Sequence, residues 1–324
     1  MSIASEAYMP NQTTTRFSSE HHLNSPEQKV FWQQVTQSSF KTHDDITLAY
    51  ARITHPDSIG TIVISSGRVE SYLKYKELMF DLYQRGYSLF ALDHRGQGLS
   101  ARTTANPHQG YIDKFQRYVD DFAEFVTKIV KPHSMENYYL VGHSMGGAIG
   151  TLYLSQYPAT FKAAVFSAPM YGIKLPLPRG FIRALASLLD NHKQPNYILG
   201  GKDYHAEPFD KNDLTHSKLR YDDYRELYRQ QPQLQLGSPT NHWLVESIDA
   251  AEQAIDAARN SKIPLLILQA EEDSIVDNRA QKRAINGLCK LTKIPYARHE
   301  IFMERDTPRN LAINALCDFL KQVR

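Results

Sequence analysis

The sequence has few cysteines and almost no net charge. Its 324 residues include two cysteines, Cys289 and Cys317. Two are too few for a disulfide framework or a cysteine-based zinc site. Lysine and arginine number 37, aspartate and glutamate 35, so the formal net charge is +2. This balance argues against the basic stripe of a nucleic-acid-binding protein, and we expect no nucleic-acid partner.

Long apolar runs are also lacking. No stretch approaches the roughly 18 to 20 apolar residues that cross a bilayer. Residues 1–30 contain no apolar block and carry acidic side chains, so no signal peptide is indicated. We therefore expect a protein that is soluble or at most lies on a membrane surface.

From about Phe31 onward, strand-like segments alternate with segments of helical periodicity. Strands are predicted at residues 47–53, 61–64, 87–92, 138–141, 163–166 and 265–268, and helices at 72–84, 118–130 and 148–157. Such alternation is typical of right-handed crossovers that build a largely parallel sheet with helices on both faces. The sequence thus predicts an α/β fold.

The alternation stops between about Met170 and Asn260. This stretch has helical pieces, six prolines and no strong strand. We interpret it as an inserted helical cap. The predicted organisation is an irregular polar leader (1–28), a first part of the core (29–169), the cap (170–260) and a second part of the core (261–324).

The segment Gly142–Gly146, with the letters GHSMG, fits the G-x-S-x-G nucleophile elbow. A predicted strand leads into it and a predicted helix follows, which is the setting that the elbow requires. This turn is expected to leave the Ser144 hydroxyl accessible to a substrate. It also places Ser144 at a helix N-terminus, where the helix dipole and free N–H groups stabilise a developing oxyanion. Ser144 is therefore the candidate nucleophile, whereas His143 is interpreted as a structural residue of the turn.

A serine hydroxyl needs a base to take its proton, and in this fold the acid and then the base follow the serine along the chain. The acid is expected after the strand at 265–268, where Asp273 is the first candidate and Asp277 the second. Beyond Asp273 the chain has a single histidine, His299, which is therefore the candidate base.

An oxyanion hole needs two backbone N–H donors. Met145, the residue after the nucleophile, is expected to supply one, and Arg68, in the loop after the strand at 61–64, the other. The guanidinium of Arg68 has two interpretations that the sequence leaves open. It could bind a phosphate at the pocket rim, or it could be a solvated side chain.

The segment from Asp93 to Ser100, DHRGQGLS, looks catalytic but is better explained as a tight structural turn after a strand. It lacks the third glycine of a dinucleotide fingerprint, and no Walker loop is present. The pair His21-His22 has no metal-ligand partners at useful spacing. We expect neither a metal nor an organic cofactor.

Together, the DHRGQG segment, the elbow, Asp273 and His299 resemble the α/β-hydrolases of the monoacylglycerol lipase and lysophospholipase group. Longer stretches are similar to the bacterial lysophospholipases of the L-two type: SSGRVESYLKY from Ser65, SAPMYGI from Ser167, LTHS from Leu214, PTNHWLVES from Pro239, QAEEDSIVDN from Gln269 and RHEIFMERD from Arg298. The resemblance implies hydrolysis of the acyl ester of a lysophospholipid, with possible acyl transfer. It also implies peripheral contact with the cytoplasmic face of a bacterial inner membrane.

The cap offers separate support for membrane contact. Residues 171–189 carry Lys174, Arg179 and Arg183, no acidic residue and many large apolar side chains. Such a segment could lie on an anionic membrane. It could also pack as a cap helix on the core, and the two interpretations can coexist.

Two other functions stay open. A monoacylglycerol lipase or general carboxylesterase would use the same machinery on a neutral headgroup. A hydrolase-fold binding protein without turnover would typically have lost a member of the triad. Dehalogenase and epoxide hydrolase chemistry is disfavoured, because those enzymes of the fold have aspartate where this chain has Ser144.

Overall fold

Eight strands form a central sheet in the computed structural model, which describes residues 17–134, 137–191 and 193–324. Their order is β1-β2-β4-β3-β5-β6-β7-β8. Strands β1 and β2 are antiparallel to their neighbours, and all other pairs are parallel. The strands are β1 (Thr36–Lys41), β2 (Thr47–Ile53), β3 (Gly60–Ser65), β4 (Tyr87–Leu92), β5 (Tyr138–His143), β6 (Ala163–Ser167), β7 (Leu265–Ala270) and β8 (Cys289–Ile294).

The inner strands explain why the sequence alternates as it does. Strands β3, β4, β6 and β7 are buried along their whole length, as is β5 after its first residue. Parallel strands covered on both faces read as nearly continuous apolar runs. The predicted α/β fold, a mostly parallel sheet flanked by helices, is confirmed.

Helices of 6 to 19 residues connect and cover the strands. Helices α2, α4, α8 and α9 pack directly on the sheet. The helices are α1 (Pro26–Gln34), α2 (Lys76–Tyr83), α3 (Gln116–Phe125), α4 (Met145–Gln156), α5 (Arg179–Leu189), α6 (Lys218–Gln230), α7 (Asn241–Arg259), α8 (Asn278–Arg283) and α9 (Asp306–Gln322). In the described part of the chain, none of them has both the length and the apolar content that a bilayer crossing needs.

The region predicted as a cap contains α5, α6 and α7, separated by irregular segments. Helix α7 packs along α4 of the core and also along α5. Ala186 of α5 forms a small apolar cluster with Leu244, Val245 and Ile248 of α7. Helix α7 therefore joins the cap region to the layer of helices on the sheet, and the division at residue 260 stays a prediction.

Part of the predicted leader is held against the body of the protein. Ser18 donates to Asp81 through both its backbone N–H and its hydroxyl. Ser19 and Glu20 bind the carboxylate of Asp306 at the start of α9. Helix α1 begins at Pro26, before the predicted end of the leader. Residues 1–16 lie outside the described residues.

The turn from Asp93 to Ser100 is held by hydrogen bonds, as expected for a structural element. The Asp93 carboxylate accepts the N–H of Tyr72 at 2.5 Å and of Leu99 at 2.7 Å. Gly98 has φ 57°, and a Cβ there would lie 2.1 Å from that carboxylate. The Gln97 side chain donates to the carbonyl of Gly67 at 2.7 Å. The turn therefore supports the loop that follows β3.

Candidate active site

The sharp turn between β5 and α4 places Ser144 at the carboxyl end of the sheet. Ser144 has φ 50° and ψ −116°, a backbone conformation that L-residues rarely adopt. The two flanking glycines make the turn possible. A Cβ on Gly142 would lie 2.8 Å from the carbonyl oxygen of Gly146, and one on Gly146 would lie 2.1 Å from that of Ser65. The local geometry is that predicted for a nucleophile elbow.

Ser144, His299 and Asp273 form a continuous row of hydrogen bonds. The Nε2 atom of His299 lies 2.9 Å from the Ser144 hydroxyl, and its Nδ1 atom lies 2.8 Å from a carboxylate oxygen of Asp273. All three side chains are buried. Because a carboxylate only accepts, Nδ1 carries the proton and Nε2 is free to accept one from the serine. The structure thus brings together the serine, histidine and first-choice acid of the sequence analysis.

The environment of Asp273 keeps its carboxylate charged. Burial raises its pKa, but the hydrogen bond from His299 and those from the backbone N–H groups of Val276 and Ile275 outweigh that effect. The pKa of Asp273 therefore lies below its usual value. Asp277 has a different position: its side chain accepts the N–H of Arg279 at 2.8 Å and caps α8.

His143 lies behind the row rather than in it. Its Nδ1 atom is 3.1 Å from the carbonyl oxygen of Ser167, to which it donates, and its ring centre is 4.8 Å from that of His299. Burial holds the pKa of His143 below its usual value, so the ring is neutral at pH 7. It packs against His299 without adding a charge beside it.

The two candidate oxyanion donors lie on segments that touch. Met145 is the first residue of α4, where N–H groups have no carbonyl partner within the helix. The next residue, Gly146, is packed on the backbone of Ser65 and Ser66, just before Arg68. Both segments border the cavity at Ser144.

A buried charged cluster fixes the loop that contains Arg68. The carboxylate of Glu70 accepts the Gly67 N–H at 2.6 Å and pairs with Lys74 at 3.1 Å. Lys74 also pairs at 2.5 Å with Glu300, the residue that follows His299 in the chain. Burial raises the pKa of Glu70, but the Lys74 charge and its other partners hold it below its usual value. The sequence analysis missed Glu70 and Lys74, although their i, i+4 spacing is a typical signal of an ion pair.

A cavity of about 470 Å³ opens above Ser144 and His299. Such a volume lies in the range of small-molecule sites. Its lining is mainly apolar and aromatic, from both the core and the cap region, and includes Met170, Tyr224, Tyr228, Leu236 and Trp243.

The guanidinium of Arg68 lies in the wall of this cavity rather than in solvent. It donates to the carbonyl of Gly237 at 2.5 Å and lies 5.2 Å from the centre of the Trp243 ring. Burial lowers the pKa of Arg68 to about 10, so it is charged at neutral pH.

Two features define the α/β-hydrolase class. One is a serine on a nucleophile elbow at the carboxyl ends of a mostly parallel sheet. The other is an acid and then a histidine that follow the serine in the chain and meet it there. The chain belongs to one family of this class, because residues 56–306 match the family described as "Serine aminopeptidase, S33".

Several relatives match nearly the whole chain. Lysophospholipase L2 of Escherichia coli (strain K12) is 38% identical over 307 residues, which cover 90% of this chain and 89% of the relative. "Probable lysophospholipase L2" of Haemophilus influenzae is 33% identical and covers 93% of this chain and 96% of the relative. Among solved structures, a monoglyceride lipase variant from Saccharomyces cerevisiae superposes with a TM-score of 0.71 at 18% identity, covering 89% of this chain and 94% of that one. This last likeness supports the fold.

Replacing Gly146 by alanine tests the elbow. We expect Gly146→Ala to lower the free energy of unfolding by about 2 kcal/mol, because its methyl group overlaps the Ser65 carbonyl and the backbone must shift. Gly180→Ala is the matched control. Gly180 lies in α5 with nothing within 4 Å of its Cβ position, so alanine should raise stability by about 0.5 kcal/mol. Urea unfolding of both variants measures the difference, and a Gly146→Ala protein as stable as wild type would contradict this account.

Proposed function

We propose that this protein is a serine hydrolase that cleaves the acyl ester of lysophospholipids, releasing a fatty acid and a glycerophospho-alcohol. The observation that carries the proposal is the hydrogen-bonded row of Ser144, His299 and Asp273 beneath a largely apolar cavity. The relatives from Escherichia coli and Haemophilus influenzae, named "Lysophospholipase L2" and "Probable lysophospholipase L2", support the choice of substrate class.

In the first half of the proposed reaction, His299 takes the proton of Ser144 as the hydroxyl attacks the acyl carbonyl. Asp273 holds the imidazole in the required tautomer and stabilises its protonated form. The N–H groups of Met145 and Arg68 bind the tetrahedral oxyanion. The glycerophospho-alcohol then leaves with a proton from His299, and the acyl group stays on Ser144.

In the second half, His299 activates a water molecule that attacks the acyl-enzyme and releases the fatty acid. A hydroxyl group of a second lysolipid could take the place of water, which would transfer the acyl group instead. Both routes use the same residues.

The cavity lining supports the assignment of a single-chain lipid as substrate. Its apolar and aromatic side chains suit an acyl chain, and the charged Arg68 in the wall suits a phosphate. The alternative substrate is a monoacylglycerol. Arg68 already donates to Gly237 and lies over Trp243, so its role could be confined to holding the wall.

Three substitutions test the catalytic assignments. Ser144→Ala should abolish both turnover and labelling by a fluorophosphonate probe. Asp273→Asn should lower kcat by about 10⁴-fold, because the wrong imidazole tautomer then faces the serine. Asp277→Asn is the matched control and should stay within about threefold of wild type, because asparagine is also a good helix cap. Steady-state kinetics measure all three. Equal losses for Asp273→Asn and Asp277→Asn would contradict the choice of acid, and an unlabelled wild type would support a binding protein.

The substrate is tested by turnover of lysophosphatidylethanolamine and monoacylglycerol side by side. We expect kcat/KM for the phospholipid to be higher by about tenfold or more, which corresponds to about 1.4 kcal/mol in transition-state binding. Ser144→Ala serves as the blank for both substrates. Equal or better turnover of monoacylglycerol would favour the lipase function instead.

We also propose that α5 contacts a membrane surface, and that this surface is the cytoplasmic face of a bacterial inner membrane. Phe181 is 57% exposed and Leu188 81% exposed, so both are available for insertion. The basic residues of this segment contribute less to binding an anionic membrane than their number suggests, because two of them are already paired with carboxylates. Arg183 binds Asp249 at 2.7 and 2.6 Å, and Arg179 pairs with Glu252. Among these cations in the described residues, Lys174 alone has no ion pair.

Vesicle flotation tests this contact. With vesicles of phosphatidylethanolamine and phosphatidylglycerol, the double variant Phe181→Ser/Leu188→Ser should bind about tenfold more weakly or worse, because each large apolar side chain contributes about 1.5–3 kcal/mol when buried. Val30→Ser on α1, at a residue 56% exposed, is the control and should bind like wild type. Because the arginines are paired, added salt should weaken binding only slightly. Unchanged flotation of the double variant would refute the contact.

A further inference from the structure

Four cationic side chains line the cavity above Ser144, and they fall into two groups. Lys74 is buried and pairs with two glutamates. Lys202 is exposed and pairs with Glu207 at 3.5 Å. Arg68 and Arg225 form no ion pair with a carboxylate within the described part of the chain, and the Nε atom of each is buried without a hydrogen-bond partner. Among the described residues that line the cavity, Arg68 and Arg225 are therefore the two cations without a directly paired carboxylate.

Arg225 lies among tyrosines. It donates to the hydroxyl of Tyr204 at 3.2 Å and to that of Tyr221 at 2.8 Å. Its guanidinium lies 4.8 Å from the centre of the Tyr221 ring and 5.1 Å from that of Tyr224. Neutral hydroxyls and ring faces orient a guanidinium, but they do not cancel its charge.

The other arginines of α6 show what a purely structural arginine does here. Arg220 is fully buried and pairs with Glu77 and Asp306, each at 2.8 Å. Arg229 is 73% exposed and pairs with Glu226. Arg220 and Arg229 thus each have a carboxylate partner. Arg225, between them on the same helix, faces the cavity and has none.

Two backbone segments that pack against each other, at Gly237 and at residues 202–204, lie between the two unpaired arginines. Arg68 donates to Gly237, and a Cβ on Gly237 would lie 2.5 Å from the carbonyl oxygen of Lys202 and 2.9 Å from Cα of Asp203. The next residue is Tyr204, which accepts from Arg225.

None of the carboxylates described in the cavity lining forms an ion pair with either arginine. Glu70 and Glu300 pair with Lys74, and Glu207 pairs with Lys202. Asp203 accepts from Tyr197 at 2.5 Å and from Asn106 at 2.9 Å.

We propose that Arg225 binds the phosphodiester of the lysophospholipid headgroup. The tyrosines hold its guanidinium in place, and Arg68, which lines the same cavity, supplies a second positive charge. The inference rests on the proposed function and adds the residue that would select for phosphate. A guanidinium presents two parallel N–H donors to phosphate oxygens, which a monoacylglycerol lacks. Arg225 is then a specificity-determining residue, whereas the acyl transfer steps depend on Ser144 and its partners.

The test uses Arg225→Gln and Arg225→Lys in the full-length protein, with Arg229→Gln as the matched control one helical turn further along α6. For Arg225→Gln, the ratio of kcat/KM for lysophosphatidylethanolamine to that for monoacylglycerol should fall by about tenfold or more, because a hydrogen bond to a charged group is lost. Arg225→Lys keeps the charge but not the fork, so its ratio should fall between those of Arg225→Gln and wild type. Arg229→Gln should keep the wild-type ratio.

A second measurement separates this inference from the proposed function. Glycerophosphoethanolamine, the product headgroup, should inhibit wild-type hydrolysis of monoacylglycerol, and the inhibition should weaken by about tenfold in Arg225→Gln. If wild type shows no preference for the phospholipid, the proposed function fails, and this inhibition alone decides the role of Arg225. If Arg225→Gln lowers kcat/KM equally for both substrates, or leaves the inhibition unchanged, Arg225 is structural and the inference is wrong.

Discussion

The close approach of the α4 N-terminus to the ends of β5 and β3 is the constraint on which the site depends. Gly146 lies so near the Ser65 carbonyl that no side chain fits between them. This contact sets the unusual φ of Ser144, points its hydroxyl towards His299 and brings the first N–H of α4 beside the loop after β3. The energetic cost of the strained serine, about 1–3 kcal/mol, is offset by the buried strands on either side.

Around this turn, charges are arranged so that each one faces a definite partner. Asp273 faces His299, and Glu70 and Glu300 share Lys74 behind the loop of Arg68. Buried charges are tolerated when they are paired and hydrogen-bonded, and they then restrict the backbone that carries them. Arg68 and Arg225, which line the same cavity, differ because their hydrogen-bond partners are neutral groups. The contrast separates groups that hold the site from groups that can interact with a ligand.

Sequence reasoning predicted the inner sheet well, because fully buried parallel strands have a strong apolar signal. It missed β1 and β8, edge strands whose mixed polar sequences TQSSFK and CKLTKI leave most of their side chains at least partly exposed. The helix predicted at 72–84 is a 3₁₀ turn (Tyr72–Tyr75) followed by α2, since Ser71 caps the turn and not the helix. The choice between Asp273 and Asp277 depended on the shape of one turn, which periodicity does not encode. Arg225 was missed because its unpaired state depends on residues distant in the chain.

The loop after β3 is also held from the cap region. Val69, a β-branched residue at φ 67°, has its carbonyl bound by the hydroxyl of Tyr228 at 2.6 Å, across 159 residues of chain. His299 reaches Ser144 across 155 residues. During synthesis from the N-terminus, the elbow and the loop are therefore made long before the side chains that complete them. In a chain that ends before α6, the loop lacks the Tyr228 hydroxyl and Ser144 lacks the His299 ring, so both contacts form only once α6 and the segment before α9 have folded into place.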